Sequence, residues 1–182
     1  MMETIGFLEL NSIAKGVEAA DAILKAADTR LVFAKAICPG KYVIMFTGTV
    51  STAAASLEAG ARIAGAHTVD SVLIPMVDPQ LIEAINAATA PREPGAVGVM
   101  EFFSITAAVY AADAAVKAAC ITLVDVRLGT GIGGKSFVVL TGDVAAVSEA
   151  VNTGVSEGAK RGLMVDFTVI PNPRPEIFES LL

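Results

Sequence analysis

Apolar residues recur along this chain in two patterns, as short runs and at helical spacing. Residues 4–10, 30–37 and 42–46 are short, mostly apolar runs that predict β-strands. Residues 13–27 carry Ala, Val, Ile and Leu at the spacing of one helix face, and Ser12 precedes them as a suitable N-cap. The first fifty residues therefore predict a strand, a helix and two further strands.

The next forty residues complete one structural unit. Residues 50–65 predict an alanine-rich helix, residues 69–75 a strand stopped by Pro75, and residues 79–87 a short helix. The predicted order is β-α-β-β-α-β with a final helix, which is the ferredoxin-like arrangement with its helices on one face of the sheet. The fold class is thus α/β in the sense of α+β.

The whole pattern occurs twice. Residues 5–9 (IGFLE) match residues 97–101 (VGVME), and 97 − 5 gives an offset of 92. The offset becomes 94 where Gly40-Lys41 matches Gly134-Lys135, and 96 where Ile74-Pro75 matches Ile170-Pro171. Two small insertions in the second copy explain this drift, so we predict tandem domains of the same element order.

A Pro/Gly-rich segment, residues 90–95, separates the copies, because neither a helix nor a strand continues easily through it. We expect one domain at residues 3–89 and the other at residues 96–182.

Composition limits the partners. Of the 182 residues, 54% are apolar, the net charge is −6 and the mean hydropathy is +0.65. An acidic chain without basic runs argues against nucleic acid and anionic membrane surfaces as partners. The apolar excess is high for a free monomer, so we expect part of the surface to be buried against other subunits.

Neither a membrane span nor a secretory signal is expected. The apolar stretch 42–57 is interrupted by Thr, Ser and Gly, and the N-terminal residues contain no basic segment followed by an apolar one. Two cysteines cannot form a disulfide framework, so a reducing cytoplasm is the expected compartment.

Cys38 is the residue with the most suggestive chemistry. It precedes Pro39-Gly40 in a tight turn, where backbone amides and Lys41 favour a thiolate. One such cysteine per chain cannot build a four-cysteine metal site alone. From the residues alone, an inert buried thiol and a metal ligand both remain open. Cys120 has no such setting, and we expect it to pack in the interior.

One apparent motif is rejected. Residues 129–136 (GTGIGGKS) match the phosphate-binding pattern G-x-x-x-x-G-K-[ST], but that loop must lead into a helix. Here residues 137–140 (FVVL) predict a strand. We interpret the segment as a glycine-rich hairpin loop.

No enzyme site is apparent. His67 is the single histidine and is expected in a turn before the strand at 69. Glu9, Glu101, Asp21 and Asp113 recur at equivalent places in both copies, which favours structural roles over catalysis. Without a nucleophile, a base and an orienting group, the sequence predicts no enzyme.

The repeated motifs resemble the bacterial microcompartment shell domain. These motifs are the segments 5–9, 19–25, 40–41, 47–50 and 72–75, together with 97–101, 112–117, 133–135, 141–144 and 169–171. The resemblance covers residues 3–181 in the unpermuted order and implies a shell protein of the microcompartment.

Within that family, the segments 12–16, 37–41 and 131–135 resemble the tandem-domain shell protein of propanediol-utilisation compartments that holds an iron–sulfur cluster. This resemblance implies a homotrimer forming a pseudohexagonal tile. It further implies one [4Fe–4S] cluster per trimer on the central axis, ligated by Cys38 of each chain. The loops around that axis comprise Pro39, Gly40 and Lys41 in one copy and Gly131, Ile132, Gly133 and Gly134 in the other.

The resemblance also implies contacts between tiles. Lys25 and Lys117 match the family's edge lysine, which bonds to a neighbouring tile. The family's edge arginine is absent after Pro75, and Arg174 is displaced in the second copy. The resemblance as a whole implies other shell proteins as partners, together with a redox enzyme inside the compartment or in the cytoplasm.

Three functions are consistent with these observations. The first is a shell tile whose cluster passes electrons across the shell or delivers clusters to enzymes. The second is a tile without a cluster, whose central pore binds or passes a small metabolite. The third, from another class, is a regulatory ligand-binding module with duplicated ferredoxin-like domains.

Overall fold

The computed structural model describes residues 3–86 and 95–181. Internal contacts divide the chain into two compact units, Met1–Pro79 and Gln80–Leu182. The predicted linker at 90–95 lies outside the described residues, apart from Gly95. None of the described helices is long and apolar enough to cross a membrane.

The first unit is a four-stranded antiparallel sheet with two long helices. Its elements are β1 (Glu3–Leu10), α1 (Ile13–Ala26), β2 (Arg30–Ile37), β3 (Lys41–Gly48), α2 (Val50–Ala64) and β4 (Thr68–Val77), with a single 3₁₀ turn at Gly65–His67. The strands lie in the order β2-β3-β1-β4. This confirms the predicted β-α-β-β-α-β order.

The second unit repeats this architecture. After α3 (Pro79–Asn86) come β5 (Ala96–Phe102), α4 (Ile105–Ala118), β6 (Thr122–Leu128), β7 (Ser136–Gly142), α5 (Val144–Ala159), β8 (Met164–Ile170) and α6 (Pro175–Leu181). The strand order is β6-β7-β5-β8. The backbone amide of Leu123 donates to Gln80 Oε1 at 3.2 Å, which ties α3 to this unit. The bounds 3–89 and 96–182 stay a prediction.

Alternation along the strands gives the first sheet an apolar face toward α1 and α2. Leu8 and Leu10 of β1 and Ile44 and Phe46 of β3 are fully buried there. The helices contribute mostly small residues to this core, with Ile23 as the largest. Small side chains let the helices lie close to the sheet, and each large buried side chain contributes about 1.5–3 kcal/mol.

The opposite face of the second sheet is covered as well. Val97 of β5 and Val139 of β7 pack with Phe178 of α6, and Val99 and Leu181 lie against this cluster. The expectation that all helices lie on one face is therefore wrong for α6. The reason is that both alternating sets of residues in β5 are apolar, so both faces of this sheet must be covered.

The strand β4 continues past its expected end. It was expected to stop at Pro75, but it runs to Val77, which pairs with Glu3. Because β4 is an edge strand, it pairs with a neighbour on one side only. Pro75 can therefore lack an N–H without breaking the ladder. Met76 has a φ of 56°, in the left-handed region, where the register between β1 and β4 shifts.

Candidate functional site

Two hairpin loops occupy equivalent places in the two units. In the first, Ile37 of β2 pairs with Lys41 of β3, which leaves residues 38–40 outside the ladder. In the second, Leu128 of β6 pairs with Ser136 of β7, which leaves residues 129–135 outside. We call these segments the first loop and the second loop. The insertion inferred from the repeat offset lengthens the second one.

The first loop presents the thiol that the sequence singled out. Cys38 is a free, half-buried cysteine, and the peptide bond between it and Pro39 is cis. Gly40 has a φ of 74°, and a Cβ placed on it would meet no atom within 4 Å. The turn that contains Cys38 therefore has open space beside it at Gly40.

The second loop is built on glycine backbone. Gly129, Gly131, Gly133 and Gly134 have φ values of 67°, 76°, 65° and 83°. A side chain at any of these positions costs about 1–2 kcal/mol of backbone strain, whatever space is available. The amide of Lys135 donates to the carbonyl of Ile132 at 3.2 Å, which closes a turn inside the loop.

A lysine at the base of each loop is paired with a glutamate on the central strand. Lys41 Nζ lies 2.7 Å from Glu9 Oε1, and Lys135 Nζ lies 2.5 Å from Glu101 Oε1. Glu9 is only 5% exposed, whereas Glu101 is half-buried. The sequence analysis found all four residues at repeat-equivalent positions but did not predict that they pair.

A second set of repeat-equivalent pairs lies on the long helices. Lys25 contacts Asp21 and Lys117 contacts Asp113, each at 2.6 Å and one helical turn apart. Each recurring aspartate is thus ion-paired on its own helix, and its structural role stays a prediction. The proposed contacts of the two lysines at a tile edge stay a prediction.

Cys120 differs from its expectation. It was expected to pack in the interior, but its side chain is exposed at the end of α4. The helix ends at Ala118 and β6 begins at Thr122, so Cys120 lies in the short connection between them. A connection of this kind runs over the surface, which explains the exposure.

The rejection of nucleotide binding agrees with the structure. Ser136 begins the strand β7 and no helix follows the second loop. The loop therefore lacks the helix N-terminus that holds phosphates in such sites. His67 lies in the 3₁₀ turn before β4, as expected, and its Nδ1 is 2.8 Å from Asn11 Oδ1.

One ionisable residue was missed. Asp125 of β6 is buried, and burial raises the pKa of its carboxyl, although Arg127 at 3.0 Å opposes the rise. Its equivalent in the first copy is Phe33, which is apolar. A carboxylate inside the apolar run 123–126 (LVDV) was the available signal. Asp125 lies on the β6 strand and outside both loops.

Within the described residues, no three His, Cys, Asp or Glu side chains are grouped to hold a metal ion. The first loop of a single chain therefore contributes one cysteine, Cys38, and the described residues around it form no complete metal site. Any multi-cysteine site at this loop requires further copies of the chain.

Comparison with known proteins identifies the class. A model of the BMC domain matches residues 4–77 and again residues 96–173. These two matches cover most of both units and follow the duplication described above. The chain belongs to the BMC domain family, whose members build the shell of bacterial microcompartments.

Particular relatives narrow the comparison. The chain is 40% identical over 182 residues to the bacterial microcompartment shell protein PduT of Citrobacter freundii, covering 100% of this chain and 99% of that protein. The shell protein PduA of Salmonella typhimurium is 36% identical over 87 residues, which cover 47% of this chain and 89% of PduA. Nearly all of PduA thus matches about half of this chain.

A solved structure agrees with the fold along the whole chain. The crystal structure of a microcompartment protein from Desulfitobacterium hafniense superposes with a TM-score of 0.93 at 47% identity, covering 98% of this chain and 99% of that one. The expected tandem shell fold is confirmed. Since shell proteins of this family are structural, the chain is a shell component that assembles with other shell proteins, and it is not an enzyme.

Proposed function

We propose that three copies of this chain form a pseudohexagonal shell tile that holds one [4Fe–4S] cluster on its central axis through Cys38. The observation that carries the proposal is the difference between the two loops. Only the first loop has a cysteine, so a ring of three chains presents three equivalent thiols rather than six.

The trimer is supported by the duplication and by exposed apolar strand residues. Six similar units close a ring when three two-unit chains associate, and cyclic closure buries surface. Val165 and Phe167 of β8 and Leu31 of β2 are large apolar side chains left exposed on edge strands. Edge strands with such side chains are unfavourable in water unless another chain covers them.

The residues of the first loop fit one corner of such a cluster. Cys38 is free and half-buried, and the neighbouring Gly40 leaves space on its outer side. Thiolates are the usual ligands of iron–sulfur clusters. Three thiolates would occupy three of the four irons in a cubane, so the fourth iron would carry a ligand other than a protein cysteine.

When bound, such a cluster supplies one-electron transfer. The work of the chain is to place three thiolates at one point and to keep bulky side chains away from it. The glycines of the second loop serve the second requirement, because a side chain at Gly131 or Gly133 would project into open space beside the loop. Electron transfer across the shell or delivery of the cluster to an enzyme is the resulting function, with a redox enzyme as partner.

A tile with an open central pore is the second candidate. The open space at Gly131 and Gly133 favours it, because a glycine-lined aperture could admit a small metabolite. The match to the shell-protein family argues against a regulatory ligand-binding module.

The deciding experiment compares Cys38→Ser with Cys120→Ser after anaerobic reconstitution with iron and sulfide. Cys120 is the matched control, because its thiol is more exposed and would reveal non-specific iron binding. We expect wild type and Cys120→Ser to gain charge-transfer absorption with one cluster per three chains, and Cys38→Ser to gain none. Sedimentation should give a trimer for all three proteins.

Retention of the absorption by Cys38→Ser would contradict the ligand assignment. A wild-type protein that sediments as a trimer but never takes up iron would favour the pore tile instead. A stable monomer or dimer at micromolar concentration would contradict both candidates.

A further inference from the structure

We propose that the ion pair between Glu9 and Lys41 positions the first loop and thereby the thiol of Cys38. The pair is a positioning device and not a ligand. Its effect on the cluster rests on the proposed function, whereas its effect on the loop does not.

The contact joins the loop's end to the middle of the sheet. Lys41 is the first residue of β3 and follows Gly40 directly, so its backbone forms the base of the hairpin. Its Nζ reaches Glu9 Oε1 at 2.7 Å across the β1–β3 ladder, where Glu9 pairs with Val43. Because β1 is flanked by β3 and β4, Glu9 stands on a strand held from both sides.

The charge of Lys41 is required where it lies. Glu9 is buried, and Asp70 of β4 lies directly opposite it in the antiparallel register. A buried carboxylate without a cation is strongly unfavourable. Among the described contacts, Lys41 is the cation that neutralises the Glu9 carboxylate. The buried negative charge of Glu9 therefore holds the lysine side chain in place.

A hairpin fixed at its base restricts the few residues at its tip. The first loop has residues 38–40 outside the ladder, so a change at Lys41 is transmitted to Cys38 through only two intervening residues. In the second loop, residues 129–135 lie outside the ladder, and Lys135 is the last of them. The same lysine–glutamate contact there restrains a longer segment without a thiol.

This second pair provides a matched control within the same chain. Glu101 and Lys135 repeat the contact of Glu9 and Lys41, with Nζ and Oε1 2.5 Å apart. Lys41→Met and Lys135→Met each remove one such contact, but only Lys41→Met removes the one next to Cys38. Lys41→Arg keeps a cation that can reach the glutamate.

The first experiment needs no cluster. In metal-free protein carrying Cys120→Ser, a nitroxide label is attached to Cys38 at low stoichiometry and its mobility is measured by electron paramagnetic resonance. We expect a clear increase in label mobility for Lys41→Met, recovery for Lys41→Arg, and wild-type mobility for Lys135→Met. Circular dichroism checks that each variant is folded.

The second experiment uses reconstituted trimer and measures the rate at which its absorption bleaches in air. We expect several-fold faster loss for Lys41→Met than for Lys135→Met. Equal label mobility in these two variants, or no recovery by Lys41→Arg, would overturn the positioning role. If Lys41→Met does not fold, the double variant Glu9→Gln/Lys41→Met replaces it, because this variant buries no unpaired charge. Its label mobility is then compared with that of Lys135→Met.

The two proposals fail separately. If the wild type binds no iron, the cluster proposal is contradicted, but the comparison of label mobility between the variants still tests the positioning role. A cluster that forms normally on a loop with unchanged label mobility in Lys41→Met would keep the proposed function and remove the positioning role.

Discussion

The two units share a backbone but differ in what their loops carry. Both loops are preceded and followed by equivalent strands, and a Glu–Lys pair lies beside each. The first loop is short and holds Cys38, whereas the second is longer and holds mainly glycine. In the proposed ring of three chains, the first units would therefore supply the cysteines and the second units would leave space beside them, an arrangement that six identical domains cannot provide.

The interiors differ in a compensating way. In the first unit, a Cβ on Gly16 of α1 would lie 2.3 Å from the ring of Tyr42. The repeat-equivalent residues are Ala108 and Ser136, and both are fully buried. A large strand residue thus accompanies a glycine in one copy, and a small strand residue accompanies an alanine in the other.

The surfaces differ at the start of the first long helix. Asn11 and His67 form a hydrogen-bonded polar pair in the first unit. Their equivalents, Phe103 and Leu163, are 55% and 69% exposed, although the same backbone bond joins them at 2.8 Å. The duplication thus preserves backbone contacts more strictly than side-chain polarity.

The largest predicted effect concerns moving the cysteine between loops. Ile132 occupies the place equivalent to Cys38, at an offset of 94. We expect Ile132→Cys in a Cys38→Ser chain to take up no cluster, because the second loop is longer and closes its own turn at Ile132. Iron and sulfide counts after anaerobic reconstitution measure this, with Cys38→Ser alone as the baseline. Restored absorption would show that the two loops are interchangeable.

The next effect tests the compensation between helix and strand. Gly16→Ala places a methyl group against the Tyr42 ring and should destabilise the first unit by about 1–3 kcal/mol. In a Tyr42→Ser background, the same Gly16→Ala change should cost much less. A double-mutant cycle followed by urea unfolding measures the coupling, and additive effects would refute it.

A smaller effect distinguishes the caps of α2 and α5. The Thr49 side chain accepts from the amide of Thr52 in a capping box, whereas Asp143 makes no capping hydrogen bond from its side chain. Thr49→Ala should therefore cost about 1 kcal/mol. Asp143→Ala should cost only about 0.3–1 kcal/mol, through the lost charge near the helix N-terminus. Urea midpoints compare the two, and equal costs would contradict the difference in capping.

The smallest effect concerns the buried carboxyl that replaces Phe33 in the second copy. Burial raises the pKa of Asp125, so the folded chain binds its proton more tightly than the unfolded chain. The tighter proton binding stabilises the folded chain fully below the ordinary pKa of the carboxyl. This stabilisation is lost as the pH rises through the raised pKa of Asp125. The free energy of unfolding of Asp125→Asn should therefore rise relative to that of wild type as the pH rises. The difference should be less than about 1 kcal/mol, because Arg127 offsets part of the cost of burying the carboxylate.

Thermal unfolding of both proteins between acid and neutral pH measures this difference. A stability gap between Asp125→Asn and wild type that stays constant over the range would show that Asp125 does not titrate as described.

Much of the fold followed from local pattern. Apolar periodicity located every long helix and strand, because one face of each element must be buried. It did not predict the continuation of β4 past Pro75, since only the position at a sheet edge makes proline tolerable there. The ferredoxin-like arrangement implied that all helices lie on one face of the sheet, and this expectation missed α6, because the face that α6 covers is the one that the long helices leave uncovered.

The candidate site divides in the same way. Cys38 and the glycines of the second loop were singled out by their turn chemistry together with the resemblance to the shell family, and their roles stay predictions. The pairing of Lys41 with Glu9 was not predicted, because the two residues are far apart in sequence and meet only through the register of β1 with β3. Cys120 was expected in the interior, and its exposure follows from where α4 ends relative to β6.

The sequence by itself determined the duplication, the order of elements and the presence of a cysteine in only one of the two equivalent loops, because these depend on local periodicity and on counting. Tertiary structure alone decided which charges neutralise each other and which carboxylate is buried. Those properties depend on strand register and on the space between elements, and a shift of one residue in register would move each side chain to the other face.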